Sequence, residues 1–221
     1  MVDDTGPFIR TEGIWKEYDG HPVLKGINMD IRQGAMVLIQ GRSGSGKTTL
    51  LSIIGCMDLP TRGKLIIEGE DATTMSHKQL AHLRLNKIGF IFQDHNLINS
   101  LTVEENIMLP MRIAKYHNGG NRVSELLETF DITYIRDKKP KYISGGEKQR
   151  AAIARALANK PDILLADEPT ASLDLENAEV VLDAFKKANE RYDTTIIIAS
   201  HDQIMKSHMQ EVHSLINGEL E

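Results

Sequence analysis

The sequence predicts an α/β fold with an inserted helical block, and three observations carry that reading. Short apolar runs at residues 35–40, 162–168 and 195–200 each end in polar or charged residues, the pattern of buried strands that terminate at a site. The first run opens into a Gly/Ser-rich loop and then into an apolar helical pattern from Thr48 to Ile54. Residues 94–160 have a different texture, with few β-branched runs and repeated helical periodicity.

Composition sets the outer bounds. A chain of 221 residues can bury a sizeable core in one domain, with room for an inserted subdomain. A hydrophobic fraction of 41% and a charged fraction of 26% are ordinary for a globular protein. The formal charge of -5 argues against nucleic acid as a partner of the whole surface. Cys56 is the single cysteine, which excludes an internal disulfide, fits a reducing compartment and reads as a small buried apolar residue. The acidic N-terminus lacks the apolar core of a secretory signal, and no run approaches the ~18 apolar residues of a membrane span. Any membrane role is therefore expected to run through a partner.

Taken in order, residues 8–40 carry apolar runs broken at Asp19-Gly20, around His21-Pro22 and at Gln33-Gly34, which predicts an antiparallel layer leading into the loop. Tyr18 falls in the first connection; on sequence physics alone it is a turn tyrosine against a sheet edge, although an aromatic there can also stack on a base. Beyond the loop, a strand is expected over residues 63–68 and a helix capped by Ser76 through Leu80 and Leu83. Residues 87–93 form a further strand, ending at Gln93 where a strand meets a loop. An amide there fits a simple turn, or a group that swings between solvent and a metal.

The helical block begins with residues 102–116, where Thr102 and Glu105 make a capping-box pattern and Pro110 should kink or split the helix. His117, Asn118, Gly119 and Gly120 break it, and Val123, Leu126, Leu127 and Phe130 mark one face of a second helix. The methionines Met29, Met36, Met57, Met75 and Met108 are expected as core filler. Ser144, Gly145 and Gly146 then precede a helix rich in alanine; an ordinary capped helix and an anion site fit this pattern equally well. Ser172, Leu173 and Asp174 form a turn into an amphipathic helix over residues 175–192.

The chemistry-bearing stretch is the loop. Gly41, four intervening residues, Gly46, Lys47 and Thr48 satisfy the G-x-x-x-x-G-K-[ST] spacing of a phosphate loop between a strand and a helix. Its backbone N–H groups and the helix N-terminus suit phosphate oxygens. Lys47 would reach the β- and γ-phosphates, and the Thr48 hydroxyl would ligate Mg2+, a hard cation that takes oxygen ligands. Asp167 would hold that ion, and Glu168 would polarise a water for attack on the γ-phosphate. His201, at the end of the last apolar run, can bond a phosphate oxygen, whereas the other seven histidines read as surface residues.

The phosphate loop GRSGSGKT, the glutamine of FIFQ, the signature ISGGE, the acidic strand DILLADEP, the turn ASLD and the switch SHD occur together and in order. The chain thereby resembles, over essentially its whole length, the nucleotide-binding subunit of an ATP-binding cassette (ABC) transporter. Within that family it is most similar to the lipoprotein-release and macrolide-export ATPases. The resemblance implies a P-loop NTPase core at residues 1–93 and 161–221, with a helical subdomain at 94–160 that carries the signature. It also implies ATP and Mg2+, with Tyr18 on adenine and Gly41, Arg42, Ser43, Gly44, Ser45, Gly46, Lys47, Thr48 and Thr49 around the phosphates. Thr48, Gln93 and Asp167 lie at the metal, Gln93 also reaches the attacking water, Glu168 is the base, and His201 is at the γ-phosphate. Ser144, Gly145, Gly146, Glu147 and Asp174 contribute across a head-to-tail homodimer. The implied partners are transmembrane permease subunits at the inner face of the membrane, and a regulatory ATPase that signals to a membrane protein is the alternative. Coiled-coil insertions or a second cassette, which DNA-repair and translation ATPases of this class need, are not in the sequence. Two departures stand out: Ile143 and Glu147 replace the family's usual Leu and Gln, and ASLD replaces the subgroup's frequent GNLD.

Overall fold

The computed structural model describes residues 6–116, 119–171 and 173–221. The expected break at His117 and Asn118, the Ser172 position of the turn and the first five residues lie outside these.

Two sheets form the body. In the first, β1 (Ile9–Tyr18), β2 (His21–Ile31), β4 (Arg62–Ile67) and β5 (Glu70–Asp71) are antiparallel in the order β2-β1-β4-β5. Asp19 and Gly20, both at positive φ, make the tight β1–β2 turn that their dipeptide predicts. The second sheet runs β10-β9-β3-β8-β7-β6, from β3 (Met36–Gln40), β6 (Ile88–Ile91), β7 (Ile163–Asp167), β8 (Thr195–Ser200), β9 (Glu211–Ile216) and β10 (Glu219–Leu220). All its neighbours are parallel except β9 and β10. Strands β3, β7 and β8 are apolar because both their faces are covered. One face packs on α1 (Lys47–Ile54) and the antiparallel layer, the other on α6 (Leu175–Tyr192) and the helical block.

Between β6 and β7 every described element is helical, chiefly α3 (Val103–Ile113), α4 (Gly119–Thr129) and α5 (Gly145–Ala156). These helices share one apolar cluster with the sheet: Val103, Leu126 and Ile153 join Leu38, Phe185 and Ile198. Capping boxes form where the spacing predicts them, at Thr102 with Glu105 and at Ser76 with Gln79, which starts α2 (His77–Lys87). Pro110 does not split α3, which continues as one element, with Ala114 N–H closing on Pro110 O at 2.9 Å.

Three expectations are corrected. Met57 is 43% exposed, whereas Met29 and Met36 fill the core. His95 and His213 are half-buried; His21, His77, His82 and His208 are exposed as expected. The strand expected from Ala35 inside the antiparallel layer belongs to the parallel sheet instead. Cys56 is buried as expected, and burial pushes its thiol up to about 11, so it stays protonated and unreactive. Among the described residues no helix is long and apolar enough to cross a membrane.

Candidate active site

The parallel sheet delivers its chemistry at one edge. Loop 41–46 follows β3, Gln93 follows β6, Asp167 and Glu168 end β7, and His201 follows β8, so all lie beyond the carboxyl ends of strands. Gly46 has φ 106°, and a Cβ there would stand 2.9 Å from Leu24 Cδ2 and 3.1 Å from Val23 O, which leaves glycine as the residue that fits. Helix α1 starts at Lys47, one residue before the expected start. No side chain caps it and no acidic residue lies in its first turn, so the first N–H groups are left for an anion.

Lys47 is buried and turned inward. Its Nζ donates to Gly41 O at 2.9 Å and Arg42 O at 3.2 Å, and pairs with Glu168 Oε1 at 3.1 Å. The other carboxylate oxygen of Glu168 accepts from Ser200 Oγ at 3.1 Å and meets His201 Nδ1 at 2.9 Å. Glu168 holds a left-handed backbone, φ 46°, at a cost of ~1–3 kcal/mol that its N–H bond to Ala199 O (2.8 Å) helps to offset. Burial alone would raise its pKa, but His201 and Lys47 outweigh burial and hold the carboxyl below its ordinary value. The group is ionised at neutral pH and able to accept a proton.

Asp167 differs from its neighbour. Burial, followed by repulsion from Glu168, raises its pKa against the hydrogen bond from Thr48. Its Oδ1 is buried without a partner. A lone buried carboxylate oxygen beside a hydroxyl is a donor set suited to Mg2+, which takes one or two protein oxygens and keeps part of its water shell. No cluster of three or more His, Cys, Asp or Glu suited to a metal occurs among the described residues. Gln93 joins Lys47, Thr48, Thr49, Ser43, Gly44 and Glu168 around a cavity of about 240 Å3.

Asp167→Asn follows as a stability test. A raised folded pKa means that ionised Asp167 opposes folding, so the amide should raise the melting temperature by about 2 °C at pH 7 without metal. The gain should vanish below about pH 4, where the wild-type carboxyl is protonated as well. Added Mg2+ should then stabilise the wild type and leave the variant unmoved, as read by calorimetry; equal Mg2+ shifts in both would remove Asp167 from the metal site.

A second cavity of about 570 Å3 also borders the loop, lined by Arg42, Ser43, Ser45 and His201 together with residues 214–217. Sequence reasoning missed Val23 and this β9–β10 hairpin. The Asn217-Gly218 dipeptide was the available signal, since both residues turn at positive φ, and Gly218 O ties the hairpin to β2 by accepting from Lys25 N–H at 2.8 Å.

Other expected residues line neither cavity. Tyr18 is 45% exposed, donates to Asp58 Oδ2 at 2.7 Å and carries Lys16 Nζ 4.9 Å from its ring centroid. Ser144 caps α5 by accepting from Glu147 N–H at 3.3 Å, and its own N–H donates to Glu147 Oε2 at 2.6 Å. That reciprocal bond gives the unusual Glu147 a local role, with its carboxylate turned back on its own helix start. Asp174 caps α6 through Asn177 N–H at 2.9 Å. Ser144, Gly145 and Asp174 face solvent.

The ABC transporter family model matches residues 24–171, which span β2, the loop, the helical block and Glu168. The chain belongs to the ABC transporter family. Its relatives place it among the ATP-binding subunits. It is 40% identical over 214 residues to the lipoprotein-releasing system ATP-binding protein LolD of Bacteroides fragilis, covering 96% of this chain and 99% of that one. It is also 40% identical over 200 residues to the bacitracin export ATP-binding protein BceA of Halalkalibacterium halodurans, covering 90% and 79%. Among solved structures, the ATP-binding cassette MJ0796 of Methanocaldococcus jannaschii, dimeric in a post-hydrolysis state with ADP and Pi, superposes with a TM-score of 0.88 at 38% identity over 96% of each chain. The ABC ATPase therefore has the cassette fold that its motifs imply, with Ser144 and Gly145 at the start of the signature helix exposed to solvent.

Proposed function

We propose that this ABC ATPase closes head to tail with a second copy around two ATP molecules, hydrolyses them, and drives a separate transmembrane permease of the export or lipoprotein-release type from the cytoplasmic face. The pairing of Lys47 with Glu168 supports this reading best. ATP offers Lys47 a stronger partner in its phosphates, and Glu168 is then freed on that side to take a proton from water as the water oxygen attacks the γ-phosphorus and ADP leaves. Magnesium held by Thr48 and Asp167, with Gln93 at hand, would offset charge on the β- and γ-phosphate oxygens. His201 keeps Glu168 oriented through Nδ1 and would use its other ring nitrogen for a phosphate oxygen. The exposed N-terminus of α5 at Ser144 lines neither cavity of its own chain, which supports its serving a partner's nucleotide.

The dimeric and nucleotide-bound state of the MJ0796 relative supports the same assembly. Phosphate release by the isolated full-length chain tests it. Specific activity should rise with protein concentration through the dimerisation range. A specific activity independent of concentration, in a chain that stays monomeric by light scattering, would overturn the shared site.

A further inference from the structure

Gly146, the second residue of α5, is buried against α6 rather than bared to solvent. A Cβ on Gly146 would stand 2.5 Å from Asn177 Oδ1 and 3.2 Å from its Cγ, yet 3.7 Å from its Cβ. The collision is thus with the amide head of a single side chain. That head is tethered on one side, because Asn177 Nδ2 donates to Asp174 Oδ1 at 2.7 Å while Asn177 N–H donates to the same oxygen at 2.9 Å. Gly145 continues the contact, since a Cβ there would meet Leu173 Cδ2 at 3.6 Å. Asn177 therefore sits between two helix starts, tied to Asp174 by its nitrogen and pressed on Gly146 by its oxygen.

Resting on the composite site proposed above, we infer that Asn177 is a positioning residue: it fixes the Ser144 tip to the Asp174 turn of the same chain, so that the two approach a partner's nucleotide as one body. The glycine at 146 is then demanded from within the chain by Asn177, whatever the ligand requires.

A double-mutant cycle on the full-length chain tests this, with steady-state hydrolysis, ADP affinity and melting temperature read for each variant. Gly146→Ala should lower kcat at least about tenfold and lower the melting temperature, and adding Asn177→Ala should return both to within about threefold or 2 °C of Asn177→Ala alone, because the amide head that the new methyl meets is gone. Asn177→Ala by itself should lower kcat about three- to tenfold while KM and ADP affinity hold, a split that loss of folded protein would not give. A double variant as inactive as Gly146→Ala, or a wild-type kcat in Asn177→Ala, overturns the positioning role. A wild-type chain that hydrolyses no ATP would instead overturn the proposed function, and the melting-temperature cycle would still judge the contact.

Discussion

Glu168→Gln is expected to lower ATP turnover at least about 100-fold, since removal of a positioned general base costs ~10²–10⁴. The amide is isosteric and keeps a hydrogen bond to Ser200 Oγ available, so the strained backbone at φ 46° should persist and the variant should fold. ATP affinity should be held or improved. In the wild type, ATP must draw Lys47 away from Glu168 Oε1, where it sits at 3.1 Å, and the neutral amide weakens that competing pair. Radiolabelled phosphate release and equilibrium binding separate the two effects. Retained hydrolysis would remove Glu168 from the base role, and lost ATP binding would mean that it serves to hold the loop.

Lys47→Ala should act in the opposite sense, weakening ATP binding by about 10- to 100-fold, the equivalent of the ~1.5–3 kcal/mol of a charge-assisted hydrogen bond. The loss should be larger for ATP than for a nucleotide lacking the γ-phosphate, because the ammonium reaches the outer phosphates. The variant also removes the ammonium that pairs with half-buried Glu168, so the pKa of that carboxyl should climb from its depressed value. Stability linked to Glu168 is present above the unfolded carboxyl's titration and is lost as pH falls through the folded one. The variant should therefore lose its acid tolerance at a higher pH than the wild type. Titration calorimetry with ATP and ADP, and melting between pH 3 and 7, read these outcomes. Unchanged ATP affinity would refute the phosphate-loop assignment.

The parallel sheet was legible because its strands are buried on both faces. Runs such as TIIIAS have no alternation to misread, and β8 spans Thr195–Ser200 as expected. Helix starts were legible for a local reason: Ser76, Thr102, Ser144 and Asp174 each find an acceptor role three residues along the chain. What escaped depends on contacts distant in sequence. Val23 and residues 214–217 line cavities only because β9 pairs with β3 and the hairpin reaches β2, and neither pairing has a local signature. His95 is half-buried in a turn whose carbonyl accepts from the Arg155 guanidinium at 2.8 Å, a contact 60 residues away in sequence. Glu147, where the family's usual residue is glutamine, turns its carboxylate back onto Ser144 N–H at 2.6 Å. The residues around Lys47 converge within one chain, whereas Ser144 and Gly145 do not reach them.

The molar mass of Glu168→Gln, measured by light scattering in saturating ATP and again in ADP, bears most directly on the shared nucleotide site. A mass of two chains with ATP and of one chain with ADP is predicted. One chain under both conditions, with ATP demonstrably bound, would contradict it.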